Sequence, residues 1–305
     1  MHSEPERSGK RNFAGYGKHL PGVRWPGNAK VAVSFVVNFE EGAEYSINDG
    51  DTRNEAVYEV TDRQEIADYC IDSHFEYATR TAWWRIAGLF DKYGVRFTLS
   101  SCGRAVERSP WLALDAVGRG HEVAAHGWRW ETHAGMSRVA ERANIARTVD
   151  AIRAATGIAP VGWHTRSLRT GNTRRILVDQ GFLYDSDAYN DDTPYFVSVD
   201  EKRHLVLPYA FDTNDMQFQH NQRFATAQNF SDYVCDAFDW LAHEGETMPR
   251  MLSIGLHLRM IGRPGRMKAL ETILRHMADS RAGWFATREQ IARHWIAEVG
   301  EPPAA

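Results

Sequence analysis

The sequence predicts an α/β fold built on a mainly parallel sheet. Short apolar, β-rich runs alternate with stretches of helical period. Several of those runs are continuously apolar, as expected of strands covered on both faces. Acids, imidazoles and guanidinium groups also collect just beyond the same runs, which suits a fold whose strand ends meet on one rim.

The expected strands are Val31–Asn38, Val95–Ser100, Glu122–His126, Pro160–His164, Phe182–Asp185, Leu205–Tyr209, Met251–Leu258 and Trp284–Ala286. Helical spacing is clear in Phe230–Leu241, with Phe230, Val234, Ala237, Phe238 and Leu241 on one face. Met267, Leu270, Ile273 and Leu274 mark a second helix in Arg266–His276. Thr287 followed by Gln290 reads as a capping box opening a last helix that runs to Trp295. Glu40–Ala78, Ser186–His204 and Ala210–Ala225 fit neither period and are expected as long loops over the strand ends. A closed barrel and an open doubly wound sheet would give the same pattern. No Gly-rich phosphate turn follows the first strand, which disfavours a nucleotide-binding version.

The chain has 305 residues, 43% of them hydrophobic, enough for a full core, and a formal net charge of -4. That balance points away from nucleic acid and from a basic membrane-binding face. No apolar run reaches the roughly 18 residues of a membrane span. Residues Met1 to Asn12 are polar, without the apolar centre of a signal peptide, so a cytoplasmic location is expected. Cys70, Cys102 and Cys235 are too far apart for a metal pair and read as reduced thiols.

At the strand ends the chemistry is dense. Asn38, Glu40 and Glu41 follow the first strand; His126, Trp128 and Trp130 the third; His164 and Arg166 the fourth. Asp185 and Asp187 follow the fifth, Tyr209 and Asp212 the sixth, and His257 and Arg259 the seventh. Opening an amide needs a base for water, donors for the oxyanion and an acid for the leaving nitrogen. A glutamate after the first strand can be the base and His257 the acid or donor. Arg166 or Arg259 can hold a carbonyl or carboxylate with its planar fork.

Seven ordered stretches carry a family likeness. They are VSFVVNFEEGAE (Val33–Glu44), FEYATRTAWWRI (Phe75–Ile86), GHEVAAHGWRW (Gly120–Trp130), GWHTRSLRTGNTRR (Gly162–Arg175), YDSDAYNDD (Tyr184–Asp192), LPYAFDTNDMQF (Leu207–Phe218) and LSIGLHLRMIGRPGR (Leu252–Arg266). With them the chain resembles the polysaccharide-deacetylase superfamily, and within it the branch of metal-independent allantoinases and cyclic-imide hydrolases. The likeness runs from about Tyr16 to Trp295. It implies a distorted (β/α) barrel of the polysaccharide-deacetylase (NodB-homology) type, as one domain over residues 1–305 with a poorly structured N-terminal segment.

The general deacetylase pattern has an acidic pair after the first strand and His-x-x-x-His after the third, which hold a divalent metal. Glu40–Glu41 match the acids and His126 the first histidine, but Trp130 stands at the second. An indole has only a donor N–H and cannot ligate a metal. The Arg-x-Pro of the pattern is altered to Arg166-Ser167-Leu168. Where the allantoinase-like branch carries GWYTGR, this chain has GWHTRS, so the ring is expected to be a cyclic amide or ureide other than allantoin as readily as allantoin itself. The catalytic position at the first strand is open between Glu40, Glu41 and Asn38, the last of which would make Glu40 the metal-position acid.

The resemblance therefore implies a hydrolase that opens a cyclic amide or ureide, in purine or pyrimidine breakdown. Catalysis falls to Glu40, Glu41, His126 and His257, and substrate contacts to Asn38, Trp130, His164, Arg166, Tyr209 and Arg259. No metal is expected, with Glu41, His126 and His257 as the fallback ligands should a cation such as zinc be used. The alternative is a metal-dependent N-deacetylase of an acetylated sugar or amine. A catalytically dead binding scaffold is disfavoured, because Glu40, His126, Arg166 and His257 would then be retained facing each other without use. A homo-oligomer, a tetramer, is expected from the branch and from aromatic residues such as Trp111, Trp240 and Trp284. His133 is expected at the surface, Glu76 and Arg80 as a helical pair near the pocket, and Asp212, Asn214 and Asp215 as loop braces. Gly262, Pro264 and Gly265 shape the turn before a helix.

Overall fold

The computed structural model describes residues 4–5, 11–17, 21–56, 65–219 and 224–300. Its central strand is β2 (Val31–Phe39), in which all nine residues are buried. The period of two sorts them. Val31, Val33, Phe35, Val37 and Phe39 pack in the large core beneath the helices. Ala32, Ser34, Val36 and Asn38 therefore face the other way, into the barrel.

Parallel strands flank β2 on both sides. On one side β9 (Arg250–His257) pairs along its whole length, from Val31 opposite Arg250 to Asn38 opposite His257. On the other side β10 (Gly283–Phe285) takes the first half and β3 (Thr98–Ser101) the second. From β3 the sheet continues through β4 (Glu122–Ala125), β5 (Gly162–Trp163), β6 (Tyr184–Asp185) and β8 (Lys202–Val206), all parallel. An antiparallel hairpin joins β8 to β7 (Tyr195–Val199), and Glu4–Pro5 add a short parallel β1 beside β7.

The wall stays incomplete between β8 and β9. Residues 207–215 cross that gap, with the parallel bridge Asn214–Gly255 as the isolated contact. Gly255 permits it: a Cβ there would lie 2.5 Å from Asn214 Nδ2 and 2.8 Å from Tyr209 Oη. The fold is thus a distorted (β/α) barrel, as expected, with all eight predicted strands present.

Helices cover the outer face. They are α1 (Tyr69–Tyr77), α2 (Trp83–Tyr93), α3 (Gly103–Arg108), α4 (Pro110–Gly118), α5 (Arg138–Thr156), α6 (Thr173–Asp179), α7 (Ala227–Glu244), α8 (Leu258–Ile261), α9 (Pro264–Ser280) and α10 (Arg288–Val299). The Thr287–Gln290 capping box opens α10 as predicted. The first residue of α10, Arg288, plugs the barrel floor. Its guanidinium donates to the hydroxyls of Ser34, Ser186 and Ser253 and to the carbonyls of Leu207 and Pro208. No helix among the described residues is long and apolar enough to cross a membrane.

All three expected long loops contain regular structure, Ala210–Ala225 as a 3₁₀ helix over Asp215–Gln219. Glu40–Ala78 holds α1, whose Asp68 cap accepts the N–H groups of Cys70 and Ile71. Ser186–His204 holds β7 and the start of β8. The expectation of a poorly structured N-terminus falls largely outside the described residues.

Candidate active site

The register of β2 against β9 sets Asn38 opposite His257 on the carboxyl rim; the turn after β2 delivers Glu40 and Glu41, and the short helix α8 delivers Arg259. All five side chains are buried. Arg259 is the hub. Its Nη1 donates to Glu40 Oε2 at 2.7 Å and to Glu41 Oε1 at 3.1 Å. The Arg259 backbone N–H also reaches Glu41 Oε1 (3.2 Å), and the Glu40 N–H reaches Glu41 Oε2 (3.1 Å). One guanidinium thus neutralises an acid pair that would otherwise repel itself.

Two histidines close on the other Glu40 oxygen. His126 Nε2 lies 3.3 Å and His257 Nε2 3.4 Å from Oε1. His126 is oriented by its Nδ1, which donates to the His164 carbonyl at 2.8 Å. His257 is oriented by Asp215, which accepts from its Nδ1 at 2.7 Å and from its backbone N–H at 2.9 Å. Asp215 was expected only to brace a loop; it is the positioning partner of His257. The Asn214–Gly255 bridge places Asp215 one residue short of the histidine's strand position.

These contacts divide the titrating groups. Burial opposes ionisation of Glu40, but His257 and Arg259, with hydrogen bonds from both histidines, hold its carboxyl well below the usual range. Glu41 moves the opposite way: burial raises it, Arg259 offsets that in part and Glu40 adds to it. Burial would strip the proton from His257, yet Glu40 and Asp215 outweigh it and lift the imidazole to about 9. At neutral pH the site therefore holds an ionised Glu40 against an imidazolium. Such a split between neighbouring groups is the arrangement that acid and base roles need.

Around this pair lie His164, Tyr209, Trp130 and Phe75. His164 stacks on His126 (centroids 4.7 Å apart, planes at 14°) and sits 4.2 Å from the Tyr209 ring. Burial, with His126 and Arg288 nearby, keeps His164 neutral. Asn38 Nδ2 donates to the Tyr209 hydroxyl at 2.8 Å. The Arg259 guanidinium lies 4.6 Å over Trp130 and 4.9 Å over Phe75. Among the described residues, five buried polar atoms here have no partner: Asn38 Oδ1, both ring nitrogens of His164, and Nε and Nη2 of Arg259. Buried polar atoms are rarely left so, which marks the place where a polar ligand or water belongs.

The remaining expectations fare differently. Arg166 packs 3.4 Å over the Trp130 ring, but its fork is committed to Glu55, through two contacts of 3.0 Å, and to the Trp130 carbonyl. Asp185 is held by Arg174 at 2.7 Å, and Asp187 accepts from the Thr165 N–H and hydroxyl, so both brace the rim. Glu76 and Arg80 do pair, at 2.8 Å, but on an exposed face. His133 is a correction: it is fully buried, bonded to Glu141 of α5 at 2.9 Å. Glu44 was not foreseen as a buried acid. It accepts from the Gly42 N–H at 2.6 Å, and burial lifts it to about 7.

A family model described as polysaccharide deacetylase matches residues 65–182, the stretch that carries His126, Trp130, His164 and Arg166. A putative polysaccharide deacetylase of Schizosaccharomyces pombe is 38% identical, with 92% of this chain and 95% of that protein covered. The chain belongs to the polysaccharide deacetylase family. Two crystal structures share its fold at a TM-score of 0.90 each. One, a probable polysaccharide deacetylase from Pseudomonas aeruginosa PAO1, is 42% identical, covering 94% of this chain and 98% of its own. The other, described as Puue allantoinase, is 39% identical, covering 94% and 97%. The family is one of carbon–nitrogen hydrolases, and it includes an allantoinase branch.

The general pattern of this family places a divalent cation between an acid and two histidines, and the donor set here does not fit one. Trp130 replaces the second histidine and offers no lone pair. The fallback set Glu41, His126 and His257 does not converge: Glu41 turns to Arg259 while the histidines meet at Glu40. Among the described residues, no group of three His, Cys, Asp or Glu side chains is arranged to hold a metal. Arg259 already supplies a permanent positive charge at Glu40, and it would repel a divalent cation placed there.

Proposed function

We propose that this polysaccharide deacetylase family member opens a cyclic amide or ureide by attack of water on a ring carbonyl. The observation that carries the reading is the guanidinium of Arg259 set between Glu40 and Glu41, beside a tryptophan at the second histidine position. Without a Lewis acid a plain acetamide is a poor target. A ring carbonyl whose nitrogen also bears a second acyl group is more electrophilic and has a better leaving nitrogen. The allantoinase neighbour, 39% identical, supports the same substrate class.

The steps follow from the protonation states. Ionised Glu40 takes a proton from water as the oxygen adds to the carbonyl. The unpartnered edge of Arg259 stabilises the oxyanion, and His257 passes its Nε2 proton to the departing nitrogen as the C–N bond breaks. The proton on Glu40 then returns to His257 across the 3.4 Å contact, restoring the starting state. A carboxylate held so far below its usual range is always ionised but pulls weakly on a proton. Charge stabilisation by Arg259 and His257 must then contribute much of the rate.

The direct test is turnover on allantoin, a hydantoin, succinimide, dihydrouracil and an N-acetylhexosamine. A ring compound opened with no release of acetate from the sugar is the expected result; the reverse would replace this reading with an N-deacetylase.

The pH profile gives a second test. His257 acts as a proton donor, so the rate should hold below neutrality and fall as pH rises through about 9. Asp215→Asn removes one of the two anions that raise this histidine. Its alkaline limb should shift down toward the ordinary value of 6.5. The sign is the same for stability: the folded imidazole's contribution is full below 6.5 and is lost as pH rises through about 9. An Asp215→Asn profile superimposed on the wild type would remove His257 from the acid role.

A further inference from the structure

The stretch GRPGR (Gly262–Arg266) has no part in the chemistry above, yet it borders a hollow of about 430 Å³ lined by His74, Arg263, Gly265 and Arg266. It is an open surface depression rather than an enclosed pocket, which suits contact with one charged group and not burial of a whole ligand. Its electrostatics are one-sided. Arg263 stacks 3.6 Å over Tyr77 and donates to His74 Nδ1 at 2.9 Å. Arg266 lies 4.5 Å over Phe218 and donates to the Met260 carbonyl at 3.3 Å. Both guanidinium groups thus lean on aromatic faces and neutral acceptors, and neither has a carboxylate partner among the described residues.

The backbone adds to the same sign. Arg263 is the N-cap residue of the seventeen-residue helix α9, without a side-chain cap bond, and no acid occupies the first turn. Cations at the positive end of a helix are unfavourable, and anions are favourable there. Gly265, in the first turn, presents a backbone N–H with no partner inside the helix. Burial and the charges of Arg259, Arg263 and Arg266 press His74 down to about 4, so it stays neutral. Two arginines at a positive helix end conflict with folding alone, and such conflicts concentrate at functional sites.

The hollow is also one ring away from the chemistry. The His74 ring packs edge-on against Phe75 (5.6 Å), and Phe75 lies under Arg259, which holds Glu40.

We propose that this hollow is an anion-recognition subsite in which Arg263, Arg266 and the α9 N-terminus receive a carboxylate carried by the substrate or by the ring-opened product. The choice of carboxylate rests on the ring-opening reading, because hydrolysis of a cyclic amide turns a neutral carbonyl into that group; the preference for an anion does not.

Calorimetric titration of the full chain tests it with three probes: N-carbamoylglycine, its neutral amide and inorganic phosphate. The expected result is that the carboxylate binds at least about tenfold more tightly than the amide, as a charge-assisted paired contact requires. Arg266→Gln and Arg263→Gln should each remove most of that difference, and Arg266→Lys should restore part of it, with folding of each variant verified by circular dichroism. Equal binding of carboxylate and amide, or carboxylate binding untouched in both glutamine variants, overturns the proposal. Arginine-dependent binding of phosphate without the carboxylate overturns the carboxylate assignment. Because no turnover is read, failure of the ring-opening chemistry would leave the anion result standing.

Discussion

Glu40→Gln is expected to lower turnover on the correct ring substrate by about 10²–10⁴-fold, the usual worth of a general base. The fold should survive. Glutamine keeps the size and an oxygen for Arg259, and Glu41 still neutralises the same Nη1. His257 can relax as well, because Glu40 is the largest of the attractions holding its proton. That relaxation calls for a control, since the variant loses the base and part of the acid together. Assayed at lower pH, where His257 is protonated again, the variant should stay inactive. Recovery there would mean that Glu40 serves only to charge His257. Wild-type turnover at neutral pH would move the base to Glu41 and shift the reading of the first strand.

Arg259→Met should cost about 3–5 kcal/mol of folding stability, because it leaves the buried Glu41 without a cation and Glu40 with the two histidines alone. Denaturant unfolding measures this. Adding Glu40→Gln and Glu41→Gln to Arg259→Met should recover most of the loss, since a buried ion pair removed whole is close to neutral. An Arg259→Met protein as stable as wild type would show that the guanidinium does not balance the pair. From sequence alone Arg259 looked like a substrate clamp. It is first the counter-charge of the acids, with only Nε and Nη2 left for a ligand.

Much of this architecture was legible from periodicity. The strands that carry Asn38 and His257, and those that end just before Glu40, His126 and His164, are buried on both faces, and burial writes itself into composition. The β7 strand was missed because Tyr195–Val199 is partly exposed and short. Helix α1 was missed because only Ile71 and Phe75 of its nine residues are buried, too few to set a period. His133 could not be placed from spacing, since its partner Glu141 lies across an irregular turn. Arg166 is taken up by Glu55, whose segment folds back through the bond from the Glu55 N–H to the Tyr45 carbonyl. The role of Asp215 depends on a bridge between an irregular segment and β9, a register that the local sequence does not encode.

The most direct test of the account is metal content measured together with rate. The protein is dialysed against a strong chelator, its zinc and other divalent metals are quantified, and turnover on the ring compound is compared before and after. No stoichiometric metal and undiminished turnover, abolished in Glu40→Gln, are expected. One zinc per chain that leaves together with activity, and restores it when returned, would contradict it.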